Sequence, residues 1–272
     1  DIKNKLALFC NVEVDSVIQS IDASTIYEVP LMMKSEKLDL VVLRKLNLKS
    51  SKIADLEKWS NFVEKLKHPK HKIKIGLVGK YVELQDSYKS ILESLVHAGS
   101  ENETEVEVIS IHSEHIDDNQ INNHISKLDG ILVAPGFGSR GIEGKIKAIK
   151  CAKEKNIPFF GICLGMQMAV IEFSRNVLGL KEANSTEMDE NTPHPVISLM
   201  ENQKNITDKG GTMRLGSWEC QIESNTKLDK IYQSKIIFER HRHRWELNNN
   251  YSNEFNKNGL KTSGINPKTG LV

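Results

Sequence analysis

The 272-residue sequence lacks an excess of charge of either sign: 37 Lys and Arg stand against 36 Asp and Glu, a formal net charge of +1. No global field draws such a chain to nucleic acid or to an anionic membrane, so its expected partners are small molecules or other subunits. Cysteine is scarce. Cys10, Cys151, Cys163 and Cys220 include no C-x-x-C pair and no histidine neighbour at zinc spacing, which argues against a metal site and against a disulfide framework. A reducing, cytoplasmic setting is the simplest expectation. No apolar run approaches the roughly 20 residues of a membrane span, and the opening "DIKNKLALFC" is too polar at its start for a secretory signal. An initiator Met, internal repeats and low-complexity tracts are also missing.

The pattern that is present changes along the chain. Residues 1 to about 45 place apolar stretches around "STIYEVPLMM", too short a segment to close a core of its own. "KLALFCNVEV" reads there as a strand in mid-protein. Residues 46–71 read as a linker with helical spacing at Ile53, Leu56, Trp59, Val63 and Leu66, ending at His68-Pro69. From residue 72 strand and helix patterns alternate: "KIKIGLVGKY" (strand), "SYKSILESLVHAG" (helix closed by Gly99), "EVEVISI" and "LDGILVAPG" (strands), "EGKIKAIKCAKEKN" (helix), "IPFFGIC" (strand) and "LGMQMAVIEFSRNVLG" (helix). This predicts an α/β fold over 72–272, a mostly parallel sheet with helices on both faces, preceded by a fragment of a second α/β domain over 1–45. Both ends read as cut, the last residues "GLKTSGINPKTGLV" forming a Pro/Gly turn that leads into another strand.

Sites in such sheets gather at the carboxyl ends of strands. Cys163 stands at one, inside Gly161-Ile162-Cys163-Leu164-Gly165, the spacing of a nucleophile elbow with Cys in the usual place of Ser. The amino end of the following helix favours a thiolate there, lowering its pKa, and the Leu164 N–H can point at an oxyanion. A buried small hydrophobe beside packing glycines is the alternative. A second loop, Pro135-Gly136-Phe137-Gly138, either completes an oxyanion hole or is a turn that needs positive φ. In "ERHRHRW", alternation puts Arg240, Arg242 and Arg244 on one side of a strand and His241 and His243 on the other.

"GILVAPGFGSRGIEGKI", "NIPFFGICLGMQMAVIEFSRNVLG", "NSTEMD", "GGTMRLG" and "ERHRHRWELNN" together resemble the glutamine amidotransferase domain of the CTP synthase family, in order and spacing. "KLALFCNVEVDSVIQSIDASTIYEVPLMM" is similar to the end of that family's synthetase domain. One departure is Ala-Pro-Gly-Phe-Gly where many relatives have Pro-Gly-Gly-Phe-Gly. The resemblance implies ATP-dependent amination of UTP to CTP, with glutamine hydrolysed at Cys163. It implies glutamine contacts at Gly136, Leu164, Gly165, Met166 and Gln167, with Glu187 at the α-amino group and Arg244 at the α-carboxylate. By position Lys5 matches a pyrimidine-nucleotide contact, and Ile21, Asp22 and Ala23 a stretch touching ATP. Phe137, Thr212 and Arg214 lie where relatives respond to GTP, an allosteric activator. The Mg²⁺ ligands and phosphate loop lie in a part of the family not contained here, and a homo-oligomer, dimer or tetramer, is expected.

The family's base is the His of a His-Pro-Glu motif. None occurs here: His68-Pro69 runs into Lys70 and His194-Pro195 into Val196. Two rivals remain, the glutaminase of another class-I amidotransferase and a catalytically incomplete glutaminase fold serving regulation or assembly. Without the family, Glu187 reads as a solvated loop acid and "ERHRHRW" as a basic strand face.

Overall fold

The structure is a computed structural model that describes residues 1–50, 52–117, 121–200, 203 and 213–272. It divides into two compact units, Asp1–Lys72 with Glu93–Val106, and Ile73–Leu92 with Glu107–Val272. Among the described residues no helix is long and apolar enough to cross a membrane.

The first unit begins with helix α1 (Ile2–Cys10), where a strand was expected. The helix wins because Asp1 caps it, its side chain accepting from the Lys3 N–H, and because left-handed Asn11 returns its own N–H to the carbonyls of Ala7 and Leu8. Helices α2 (Val29–Ser35), α3 (Leu38–Lys45) and α4 (Glu57–Lys67) follow, so the stretch before the first strand is helical throughout its regular parts. The linker spacing is realised in α4, where Val63 is buried and Trp59 Nε1 donates to the Tyr27 carbonyl at 2.8 Å. Tyr27 packs edge-on against Phe62 and His97, and its hydroxyl bonds Glu93 and His97 Nε2. Both Glu93 and His97 lie on α5 (Lys89–Glu101), which runs past Gly99. That glycine packs rather than terminates, since a Cβ there would stand 2.5 Å from the Thr104 carbonyl oxygen.

The main sheet has the order β2-β1-β3-β4, built from β1 (His71–Gly79), β2 (Thr104–His112), β3 (Gly130–Val133) and β4 (Phe159–Gly161). β1 pairs parallel with β3, and β3 with β4. Alternate side chains enter two separate cores, as a doubly covered sheet requires. Val78, Ile131 and Val133 pack with α6 (Ile121–Ile125), α7 (Ile142–Glu154) and α8 (Leu164–Asn176). Leu77, Leu132 and Ala134 pack instead with Tyr88, Ile91 and Leu92.

Two smaller sheets complete the unit. One is β5 (Ala183–Ser185), β6 (His194–Leu199) and β9 (Trp245–Leu247); the other is β7 (Arg214–Ile222), β8 (Ile236–His243) and β10 (Gly264–Ile265). Helices α9 (Lys227–Tyr232) and α10 (Ser252–Lys257) lie between their strands. The expected turn follows β10, with Asn266 Oδ1 accepting from the N–H groups of Lys268 and Thr269.

Candidate active site

Three adjacent strands end in the residues that form the site. Lys80 follows β1, Ala134 to Gly138 follow β3, and Cys163 follows β4, around the β1/β3 boundary where the strand order reverses. Cys163 has φ 55° and ψ −109°, a conformation L-residues avoid, and forms the N-cap of α8. Its two flanking glycines are required by close approach. A Cβ on Gly161 would stand 2.6 Å from the Gly165 carbonyl carbon, and one on Gly165 would stand 2.1 Å from the Val133 oxygen.

The backbone N–H groups of Leu164 and Gly136 both lie close enough to the Cys163 sulfur to favour its charged form, so the two glycine loops do converge. The expected net lowering of the thiol pKa, however, does not hold. Burial pushes it up, the two amides pull it down, and the nearby Glu246 and Glu187 carboxylates push it up again, leaving it above the ordinary cysteine value. Helix-end stabilisation is local and modest, and desolvation of a buried sulfur outweighs it.

Gly138 adopts φ 77° and donates its N–H to Glu187 Oε1 at 2.8 Å. Glu187 is therefore bound into the loop. Burial raises its carboxyl, while the Gly138 N–H and the Lys80 ammonium hold it down. Lys80, itself buried, donates to the Phe137 carbonyl. Lys145 of α7 is fully buried and donates to the Ala134 carbonyl at 2.8 Å.

Strand alternation holds along β8, with Arg240 and Arg242 outward and His241 and His243 inward, but it fails at Arg244. Arg244 occupies a bend between β8 and β9 and is buried, with Nη1 donating to Gln203 Oε1 at 2.6 Å. Beside it, Arg214 and Glu246 form an ion pair at 3.2 Å, almost wholly removed from water. Burial raises the Glu246 carboxyl to about 6 despite Arg214. His243 Nδ1 lies 3.7 Å from Glu246 and 3.1 Å from His241 Nδ1. Burial is the main reason both imidazoles fall to about 4, with Arg214 adding to it, so both are neutral near pH 7.

Of the other expected residues, Leu164, Gly165 and Gln167 are buried in the first turn of α8 with Met166 half-buried; Gln167 Nε2 donates to the Trp245 carbonyl at 2.9 Å. Phe137 is exposed under the Arg242 guanidinium, 5.8 Å from its ring centre. Arg214 is buried rather than presented at a surface, and Thr212 lies outside the described residues. Lys5, Ile21, Asp22 and Ala23 belong to the first unit, where Lys5 sits exposed on α1. The sequence reading missed Lys80, Lys145 and Glu246. Lys145 had a signal: it falls at a core position of the helical period formed by Ile142, Ile146 and Ile149.

Comparison with known proteins fits this geometry. The model of "Glutamine amidotransferase class-I" matches residues 83–272, and that of "CTP synthase N-terminus" matches residues 1–48. Proteins named CTP synthase from Flavobacterium johnsoniae and Porphyromonas gingivalis are 64% and 49% identical over the whole chain, which covers 51% and 50% of their lengths. The chain thus spans about half the length of the curated relatives it matches. A solved Trypanosoma brucei structure, described as a CTPS glutaminase domain with bound acivicin, superposes with a TM-score of 0.68 at 37% identity, over 72% of this chain and 76% of that one. The chain belongs to the CTP synthase family, carrying its class-I glutamine amidotransferase domain together with part of the segment that precedes it.

Proposed function

We propose that this chain supplies the glutamine-hydrolysing half of a CTP synthase, releasing ammonia for the ATP-dependent amination of UTP to CTP. The observation that carries the reading is the strained elbow, where two backbone N–H groups converge on the sulfur of Cys163. The division is residues 1–45 as the end of the synthetase domain, 46–71 as linker and 72–272 as amidotransferase.

The Cys163 thiolate attacks the side-chain carbonyl carbon of glutamine, and the carbonyl electron pair moves onto oxygen. The Leu164 and Gly136 N–H groups, which face the sulfur, receive that oxyanion. Collapse expels ammonia once its nitrogen has taken a proton, leaving a glutamyl thioester. Water cleaves the thioester to glutamate and the free thiol. Glu187 holds the α-amino group, and Arg244 shares its guanidinium between Gln203 and the α-carboxylate, with Gly136, Gly165, Met166 and Gln167 shaping the pocket. Proton transfer falls to a His-Pro-Glu base, a motif this sequence does not contain. The neutral His241 and His243, bonded to each other, are poor substitutes.

Lys5 serves the pyrimidine nucleotide, and Ile21, Asp22 and Ala23 serve ATP. GTP acts as an activator near Phe137, Thr212 and Arg214, though Arg214 must part from Glu246 to reach it. Mg²⁺ would accompany ATP at ligands of the family that this sequence does not contain, and among the described residues no group of three or more His, Cys, Asp or Glu side chains is arranged to hold a metal ion. The reading also carries a cytoplasmic homo-oligomer.

The test is labelling with a glutamine-like diazo ketone followed by mass spectrometry. Cys163 is expected to be modified far faster than Cys10, Cys151 or Cys220, and addition of glutamine is expected to protect it. Equal labelling of the four cysteines, or no protection, overturns the assignment.

A further inference from the structure

Lys145 is a lysine with 0% of its surface exposed. Among the described residues no carboxylate lies within ion-pair distance of it, and its only hydrogen bond runs to the Ala134 carbonyl. A lone ammonium in such a place is expensive, and ordinary packing does not call for one where Ile142, Ile146 and Ile149 share the same helix face. Its position is specific. Ala134 opens the loop whose Gly136 N–H meets the Cys163 sulfur, and a Cβ built on Gly136 would lie 3.9 Å from Lys145 Nζ and 3.7 Å from Lys80 Cε. Two lysine side chains thus underlie the loop that faces the sulfur.

The charges around the sulfur otherwise oppose its ionisation. Glu187, from the segment after β5, and Glu246, from β9, are both close enough to push its pKa up, and burial acts in the same direction. Arg214 is engaged with Glu246, and His241 and His243 are neutral. Lys80 lies at the end of β1 and donates to Phe137. We propose that Lys145, held beneath the Gly136 loop by the Ala134 carbonyl, is the buried countercharge that favours Cys163 as a thiolate, and is therefore a positioning residue for the nucleophile. This rests on the reading of Cys163 as that nucleophile. Ionisation sends the thiol proton to water, while Lys145 keeps its own.

The relation between the two groups is mutual. Burial, then the repulsion of Lys80, lowers the Lys145 ammonium to about 8, while Cys163 raises it. Most molecules carry the charge at pH 7 and lose it as pH rises through about 8, before the raised Cys163 thiol reaches its own midpoint, so the support acts on the small thiolate fraction present near neutral pH.

The experiment compares the protein with its Lys145→Met variant, which keeps the length of the side chain without its charge. The rate of Cys163 alkylation by iodoacetamide is followed from pH 5 to 10, with the adduct located by mass spectrometry. At pH 7, where Lys145 is charged, the variant is expected to react about ten-fold more slowly, and at pH 10, where Lys145 is neutral in the parent as well, the two rates are expected to converge. Equal rates at pH 7, or a variant slowed by the same factor at both pH values, as a mere strut for Ala134 would be, overturns the proposal. Should the variant not fold, the parent answers alone. Its log rate of Cys163 alkylation is expected to climb with a slope clearly below one between about pH 8 and 9, where Lys145 loses its charge, and a slope of one throughout overturns the proposal equally. Iodoacetamide needs no glutamine pocket, so failure here is separable from failure of the diazo ketone to find Cys163.

Discussion

Helices α1 and α8 are both rich in apolar residues, yet Leu8 and Phe9 of α1 stand 81% and 87% exposed, while Leu164 and Met168 of α8 are at 1% and 0%. α8 is enclosed by α7, β4, β5 and β6, and its first turn is pinned to β3 by the Gly165 contact. α1 meets mainly the short turn that follows it. Apolar content alone therefore stabilises nothing, because the gain comes from area removed from water. The unit around α8 can stake polar and charged groups in its interior, whereas the unit around α1 has little interior to stake.

The contrast can be broken most sharply at the buried ion pair. Glu246→Leu leaves the buried charge of Arg214 without its carboxylate and is expected to cost about 3–5 kcal/mol, read from urea denaturation near pH 7.5. Arg214→Met with Glu246→Leu is expected to recover most of that loss. If the single change is harmless, water reaches the pair and the site is not a dry interior. Next in size is Gly165→Ala, whose methyl would meet Val133 backbone rather than a side chain that can swing aside. About 3 kcal/mol is expected, at the upper end of overpacking penalties, with β3 or α8 displaced.

A pH effect comes third. His241 and His243 have their pKa values lowered to about 4 from the ordinary 6.5, so the unfolded chain binds more protons between those values. Their contribution is complete above about pH 6.5 and is lost as pH falls toward 4. Glu246 works the other way. Its raised pKa of about 6 makes the folded state bind the extra proton, so its share of stability is present below 4.5 and declines as pH rises through 6. Two groups against one predict a net fall in melting temperature on acidification from 6.5 to 4.5, made shallower by His243→Gln. A flat profile would mean that the His pair is solvated. The smallest effect belongs to the other side of the comparison. Phe9→Ser is expected to move stability by no more than about 0.5 kcal/mol, and a larger loss would mean that α1 is covered by something in solution.

The same contrast explains what the sequence made legible. Elements such as β3, α7 and α8 between residue 72 and Asn176 are readable because their apolar residues are buried, on one face of α7 and along all of β3, and the strand-end rule then points to Gly136 and Cys163. "KLALFCNVEV" misleads because exposed apolar residues carry no period, leaving Asp1 and Asn11 to decide for a helix. Gly99 reads as a stop and is instead a contact. Arg244 breaks the alternation of its own strand at a bend that only pairing in two different sheets requires, β8 with β7 and β9 with β6. The raised thiol of Cys163 was out of reach for another reason: it depends on Glu187 and Glu246, which lie far along the chain.

The backbone of Cys163 sets the fold and the chemistry at odds. At φ 55° a side chain is unwelcome, and glycine would suit the corner better. Cys163→Gly is thus expected to melt later than the parent while losing the covalent reactivity of the site, so a screen for thermal robustness alone would select against the residue on which the proposed reaction depends. Tolerance for that corner has to be supplied by the tightly packed surroundings of α8, where Gly161 and Gly165 leave no room for a side chain.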